Sequence, residues 1–176
     1  FTRVSPIVNP RGEVMGALEV FSDNSSKVQA LERIEALEEM ALMCPVTGVG
    51  NRRYAEITLA NAHEELRRYR WPFGFFFADI DHFKAVNDAH GHAIGDEVLR
   101  MTAHALRNTL RSFDFVGRWG GEEFAVVLPN ITDDLLMRVA ERCRIGVEES
   151  VFQAGGEPIQ VTVSIGAVMA SPDEKP

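Results

Sequence analysis

Two short apolar runs, Phe115-Val116 and Phe124-Ala125-Val126-Val127-Leu128, flank the hexapeptide stretch Trp119-Gly120-Gly121-Glu122-Glu123-Phe124 and its leading Gly117-Arg118. Apolar runs broken by a Gly-Gly pair predict a β-hairpin, because glycine enters positive φ without a Cβ clash. That hairpin holds two carboxylates, Glu122 and Glu123, beside a turn with no side chains. Bare backbone lets a bulky group such as a nucleotide approach closely, and clustered carboxylates attract a hard cation that bridges to phosphate. Phosphoryl chemistry is the first expectation. A plain exposed hairpin with two solvated glutamates would satisfy the same residues.

The upstream sequence narrows this choice. Phe73-Gly74-Phe75-Phe76-Phe77-Ala78-Asp79 is a continuous apolar run ending in acid, the pattern of a central strand buried on both faces. If this strand neighbours the hairpin in one sheet, Asp79 lies near Gly120-Gly121, and the carboxylates can share a divalent cation such as Mg²⁺. A second acid, Asp81, follows after Ile80. The chain continues through His82-Phe83-Lys84, Asn87-Asp88, Gly91-His92 and Gly95-Asp96.

In this order and spacing, Asp79-Ile80-Asp81-His82-Phe83-Lys84, Asn87-Asp88, Gly91-His92, Gly95-Asp96 and Arg118-Trp119-Gly120-Gly121-Glu122-Glu123-Phe124 resemble the GGDEF domain, the catalytic module of diguanylate cyclases. The resemblance covers about residues 44 to 170. Pro45-Val46-Thr47-Gly48-Val49-Gly50-Asn51-Arg52-Arg53 parallels the opening D-P-L-T-G-L-x-N-R-R pattern, with Cys44 where that pattern has Asp. The resemblance implies condensation of two GTP into cyclic di-GMP with release of pyrophosphate, by a homodimer that uses Mg²⁺ or Mn²⁺. It implies metal ligation by Asp79, Glu122 and the Ile80 carbonyl, with Glu123 a second candidate for ligand or base. Phe83 and Lys84 are expected near the phosphates, Gly120 and Gly121 beneath the nucleotide, and Asn87 and Asp96 on guanine. Arg111-Ser112-Phe113-Asp114 has the R-x-x-D form of a product-binding inhibitory site, which Arg142 would complete from a neighbouring domain. The family usually continues past its last strand into a helix carrying Lys and Arg, and this sequence stops at Pro176 before it. A catalytically inactive domain sensing cyclic di-GMP or GTP is the alternative, although such domains usually lose the metal acids, all present here.

Composition adds limits. The 176 residues are 45% hydrophobic and carry a formal net charge of -8, which argues against a nucleic-acid polymer or an anionic membrane as the main partner. Cys44 and Cys143 lack metal-like spacing, so reduced thiols in a cytoplasmic setting are expected, Cys143 in the core. No apolar run approaches the roughly 18 residues that span a bilayer, although the parent protein could be membrane-anchored elsewhere. The first residue is Phe1, so an excised piece of a longer protein is expected. Residues 1–24 read as a hairpin about Asn9-Pro10-Arg11-Gly12 and resemble the end of a PAS sensor domain; an ordinary amino-terminal ribbon is the alternative. Residues 25–43 read as a linker helix, with Lys27, Ala30, Ile34, Leu37 and Ala41 forming a seam for a second copy. Residues 44–176 form the catalytic domain. Helices are expected over about 52–69, 82–89, 93–112 and 133–151, and strands near 73–80, 115–119, 124–128 and 160–169. Ile94, Val98, Met101 and Ala105 give one helix an apolar face, and Leu136, Ala140, Cys143 and Val147 another. The fold class is α/β (α+β), a central mixed five-stranded sheet flanked by helices.

Overall fold

The computed structural model describes residues 2–21, 28–29, 41–154 and 156–170. The chain divides into two units, one reaching Ala41 and the other beginning at Leu42. In the first, β1 (Thr2–Val8) and β2 (Val14–Phe21) pair antiparallel. The Asn9 side-chain oxygen accepts from the backbone N–H of Arg11 at 2.9 Å and of Glu13 at 3.0 Å, while Gly12 supplies φ +79°. Ile7, Val8, Val14 and Met15 are exposed. Most of the expected linker helix, including Ile34 and Leu37, lies outside the described residues; residues 28–29 and 41–42 are helical.

The second unit is built on β3 (Phe73–Ile80), whose phenylalanines go to both faces of a sheet with strand order β4-β5-β3-β8. The partners are β4 (Phe115–Gly120), β5 (Glu123–Pro129) and β8 (Val163–Met169), every ladder antiparallel. The helix α1 (Arg52–Tyr69) precedes β3, and α2 (Phe83–His90), α3 (His92–Thr109) and α4 (Asp133–Glu148) run between the strands. Phe76, Ala78 and Ile80 join Phe124, Val126 and Leu128 against Val98, Leu106, Leu136 and Cys143 of α3 and α4. Burying each large side chain stabilises by about 1.5–3 kcal/mol, so this layer sets the domain's stability. On the other face Phe73 and Val127 meet Ala62 and Leu66 of α1. The Asn51 side chain caps α1, accepting from the Tyr54 N–H at 3.0 Å, an interaction worth about 1 kcal/mol.

The α/β class and all four helices agree with the sequence reading, but the sheet does not have five mixed strands. Among the described residues it has four antiparallel ones, and the parallel pairing seen there is an isolated bridge from Gly50 to Gly117. The expected strand over 160–169 breaks at Val161-Thr162, because the polypeptide after α4 doubles back as a separate hairpin of β6 (Val151–Ala154) and β7 (Glu157–Gln160) before β8 enters the sheet. The second expected helix begins at Phe83, since His82 takes a left-handed φ of +58°.

Candidate active site

Register brings the acids together. Asp79, the penultimate residue of β3, lies opposite Glu123 of β5, and the Ile80 N–H donates to the Glu122 carbonyl at 3.3 Å. The intervening turn holds Gly121 at φ +46°, a conformation that a side chain resists. Asp79 is exposed at the strand end, and its pKa is raised by desolvation from the neighbouring backbone and then by the negative charges of Glu122 and Asp81. Asp79 and Glu122 are thus close enough to repel, which is the condition a divalent cation relieves; their hard oxygens are the donors that Mg²⁺ takes. Glu123 does not complete a cage of side chains: among the described residues no three His, Cys, Asp or Glu gather as a ready-made metal site. Its carboxylate instead folds toward Gly120.

Asp81, which sequence reasoning left without a role, serves the scaffold. Its carboxylate accepts from the Thr162 hydroxyl at 2.6 Å and the Ser164 hydroxyl at 2.7 Å. Those bonds, with the nearby His82, hold its pKa below the ordinary carboxylate range. They tie the end of β3 to β8 and leave Asp79 as the acid facing Glu122. The alternation Val161-Thr162-Val163-Ser164 carried the signal for these hydroxyls.

Around the acids, α2 and α3 place the other expected residues. Lys84 is exposed at the start of α2, whereas the Phe83 ring is packed in the core. What Phe83 offers a ligand is therefore backbone rather than its side chain. Asn87 lies directly over Gly95: a Cβ built there would fall 2.0 Å from the Asn87 Oδ1. Asp96, the next residue, is half-buried. Two helices thus converge through a glycine chosen for close approach.

Farther along, the Asp114 carboxylate accepts from the Arg111 backbone N–H at 2.8 Å, and the Arg111 guanidinium lies 5.6 Å from the Phe113 ring. Both residues line a 390 Å³ cavity with Arg107, Tyr54 and Phe115. Arg142 donates to the Thr109 carbonyl at 2.9 Å, so within one chain its guanidinium is anchored at the end of α3.

The family profile described as "Diguanylate cyclase, GGDEF domain" matches residues 41–176. The chain belongs to the GGDEF-domain family. Its sequence is 38% identical over 161 residues to the diguanylate cyclase DgcP of Pseudomonas aeruginosa, covering 88% of this chain and 24% of that protein. Identity is 41% over 130 residues to the response regulator PleD of Caulobacter vibrioides, covering 73% of this chain and 29% of PleD. The GGDEF chain thus spans about a quarter to a third of these relatives. Among solved structures, the coiled coil and GGDEF domain of DgcB from Caulobacter crescentus, in complex with c-di-GMP, superimposes with a TM-score of 0.79 at 28% identity, covering 86% of this chain and 82% of that one.

Proposed function

We propose that this domain is a diguanylate cyclase that condenses two GTP into cyclic di-GMP and two pyrophosphates. The observation that carries the reading is the register that sets Asp79 opposite Glu123 and bonds the Ile80 N–H to the Glu122 carbonyl, at the lip of a side-chain-free turn. Asp79, Glu122 and the Ile80 carbonyl would hold Mg²⁺ or Mn²⁺, a cation that would offset charge on the phosphates and the leaving pyrophosphate. Each ribose 3′-hydroxyl attacks the α-phosphate of the opposite nucleotide, loses its proton and displaces pyrophosphate. Glu123, exposed beside the turn, is the candidate base. Gly120 and Gly121 admit the nucleotide, Lys84 and the first turn of α2 meet its phosphates, and Asn87 with Asp96 read guanine.

One domain carries one GTP in this reading, so catalysis requires a homodimer that sets two sites face to face. Product returns to Arg111 and Asp114, with Arg142 of a neighbouring domain, and holds the sites apart. The exposed apolar residues of the β1–β2 hairpin suit the closing strands of a PAS-like sensor. Among the described residues no helix is long and apolar enough to cross a membrane. A cytoplasmic site of action suits the nucleotide substrate.

Incubation with GTP and Mg²⁺, with product identified by mass, tests the reading. Glu122→Gln removes one metal-binding charge at nearly constant volume, so it should abolish turnover while circular dichroism stays unchanged. Product formation equal to that of the unaltered protein would overturn the metal assignment.

A further inference from the structure

The inference rests on the cyclase reading above and concerns Arg118, which that reading leaves without a role. Gly120-Gly121 admits a nucleotide because it lacks side chains, and for the same reason it cannot restrain itself: successive glycines have more backbone freedom than any other residue pair. Glu122 nevertheless needs a fixed carboxylate beside the end of β3 that carries Asp79. Arg118 supplies that restraint from outside the turn. Its Nε and Nη2 both donate to the Gly121 carbonyl, at 2.9 and 2.7 Å. That carbonyl belongs to the peptide plane that leads into Glu122.

The arginine is itself secured. Its backbone N–H donates to the Gly50 carbonyl at 2.7 Å, and its Nη1 lies 3.9 Å from the Cys44 Sγ. The next residue, Trp119, falls where the β4–β5 register shifts, and it is held between the Arg52 guanidinium at 4.6 Å and the Phe77 ring at 5.3 Å. On its far side Glu122 gives its own carbonyl to the Ile80 N–H. Both peptide groups of Glu122 are therefore fixed by partners outside the turn. We propose that Arg118 is a positioning residue for Glu122, fixing the Gly121–Glu122 peptide so that its carboxylate is held near Asp79, where the two would serve a divalent cation. A planar fork suits this task, because two N–H groups on one edge converge on one oxygen while the third nitrogen reaches the opening loop.

The test uses the full-length protein with Arg118→Ala and Arg118→Lys. Steady-state kinetics with GTP and Mg²⁺ are read beside calorimetric titration of Mn²⁺ in the presence of a non-hydrolysable GTP analogue. Arg118→Ala should lower kcat by about tenfold or more with little change in KM, since small misplacements at a reacting centre cost rate before binding. It should also weaken Mn²⁺ binding several-fold, with the melting temperature nearly unchanged. Arg118→Lys should recover part of both losses, because an ammonium can donate to the carbonyl without fixing its plane. Unchanged kcat and Mn²⁺ affinity in Arg118→Ala would overturn the proposal, as would a rate loss that vanishes on normalising to folded protein. Absence of cyclic di-GMP from the unaltered protein would strike the cyclase reading instead, and the Mn²⁺ titration would still decide the role of Arg118.

Discussion

The two cysteines show how one residue type takes opposite electrostatic roles. Burial pushes the Cys44 thiol up, but the Thr47 and Val46 backbone and the Arg118 guanidinium, 3.9 Å from the Sγ, help to outweigh it, so the pKa ends below the ordinary thiol value. Arg118 thus faces a thiol at the position where the family pattern has Asp. Cys143 is fully buried in the core, and desolvation pushes its pKa up to about 12. Because its folded pKa is raised, the stability it contributes is fully present below the unfolded thiol value of about 8.5 and is lost as pH rises toward 12. Denaturant midpoints should therefore fall progressively across that window, and Cys143→Ala should flatten that part of the profile; an identical slope in the variant would refute the assignment. At Arg111 the expected change is in ligand affinity. Loss of a charged hydrogen-bond donor costs about 1.5–3 kcal/mol, so Arg111→Ala should raise the cyclic di-GMP concentration for half-inhibition by roughly tenfold or more. Equal affinity by calorimetry would show that the Arg111-to-Asp114 match is a coincidence of surface charges.

At the scale of elements, the site is a junction of a strand end, a tight turn and two helix starts. The α2–α3 contact depends on Gly95, over which Asn87 sits. An alanine there gains about 1 kcal/mol of helix propensity but must displace the Asn87 amide. Stability and substrate binding should therefore separate: Gly95→Ala should keep its melting temperature within a few degrees while the KM for GTP rises by about tenfold. Parallel losses of stability and affinity would mean that packing, rather than the guanine-reading amide, is what Gly95 protects. The tie from Asp81 to Thr162 and Ser164 belongs to the same scale, since it joins the end of β3 to β8.

For the whole molecule, the proposed cyclase reading gives one GTP to each domain, so two domains would have to meet before either hydroxyl could attack. Specific activity should rise with enzyme concentration below the dimerisation constant and level off above it; a constant value across that range would show that one chain suffices. Much of this architecture was legible in the sequence. The Phe73–Asp79 run could only be a buried strand, the Gly-Gly break could only be a turn, and the helical faces of α3 and α4 followed from their apolar spacing, because each signal is local and repeats along a few residues. The resemblance carried by the order of the motifs also pointed to Asp79 and Glu122 before any register was known. Tertiary structure decided what distant residues do to one another. It separated Asp79, raised by its neighbour's charge, from Asp81, lowered by two hydroxyls of the strand region some eighty residues away. It put the Phe83 ring in the core, split the expected strand over 160–169 between the end of the separate β6–β7 hairpin and β8, and aimed the Arg118 fork at the Gly121 carbonyl. Periodicity reports which face a residue occupies, whereas hydrogen-bond partners and like-charge contacts depend on register between strands, which is settled only when the whole sheet closes on its helices.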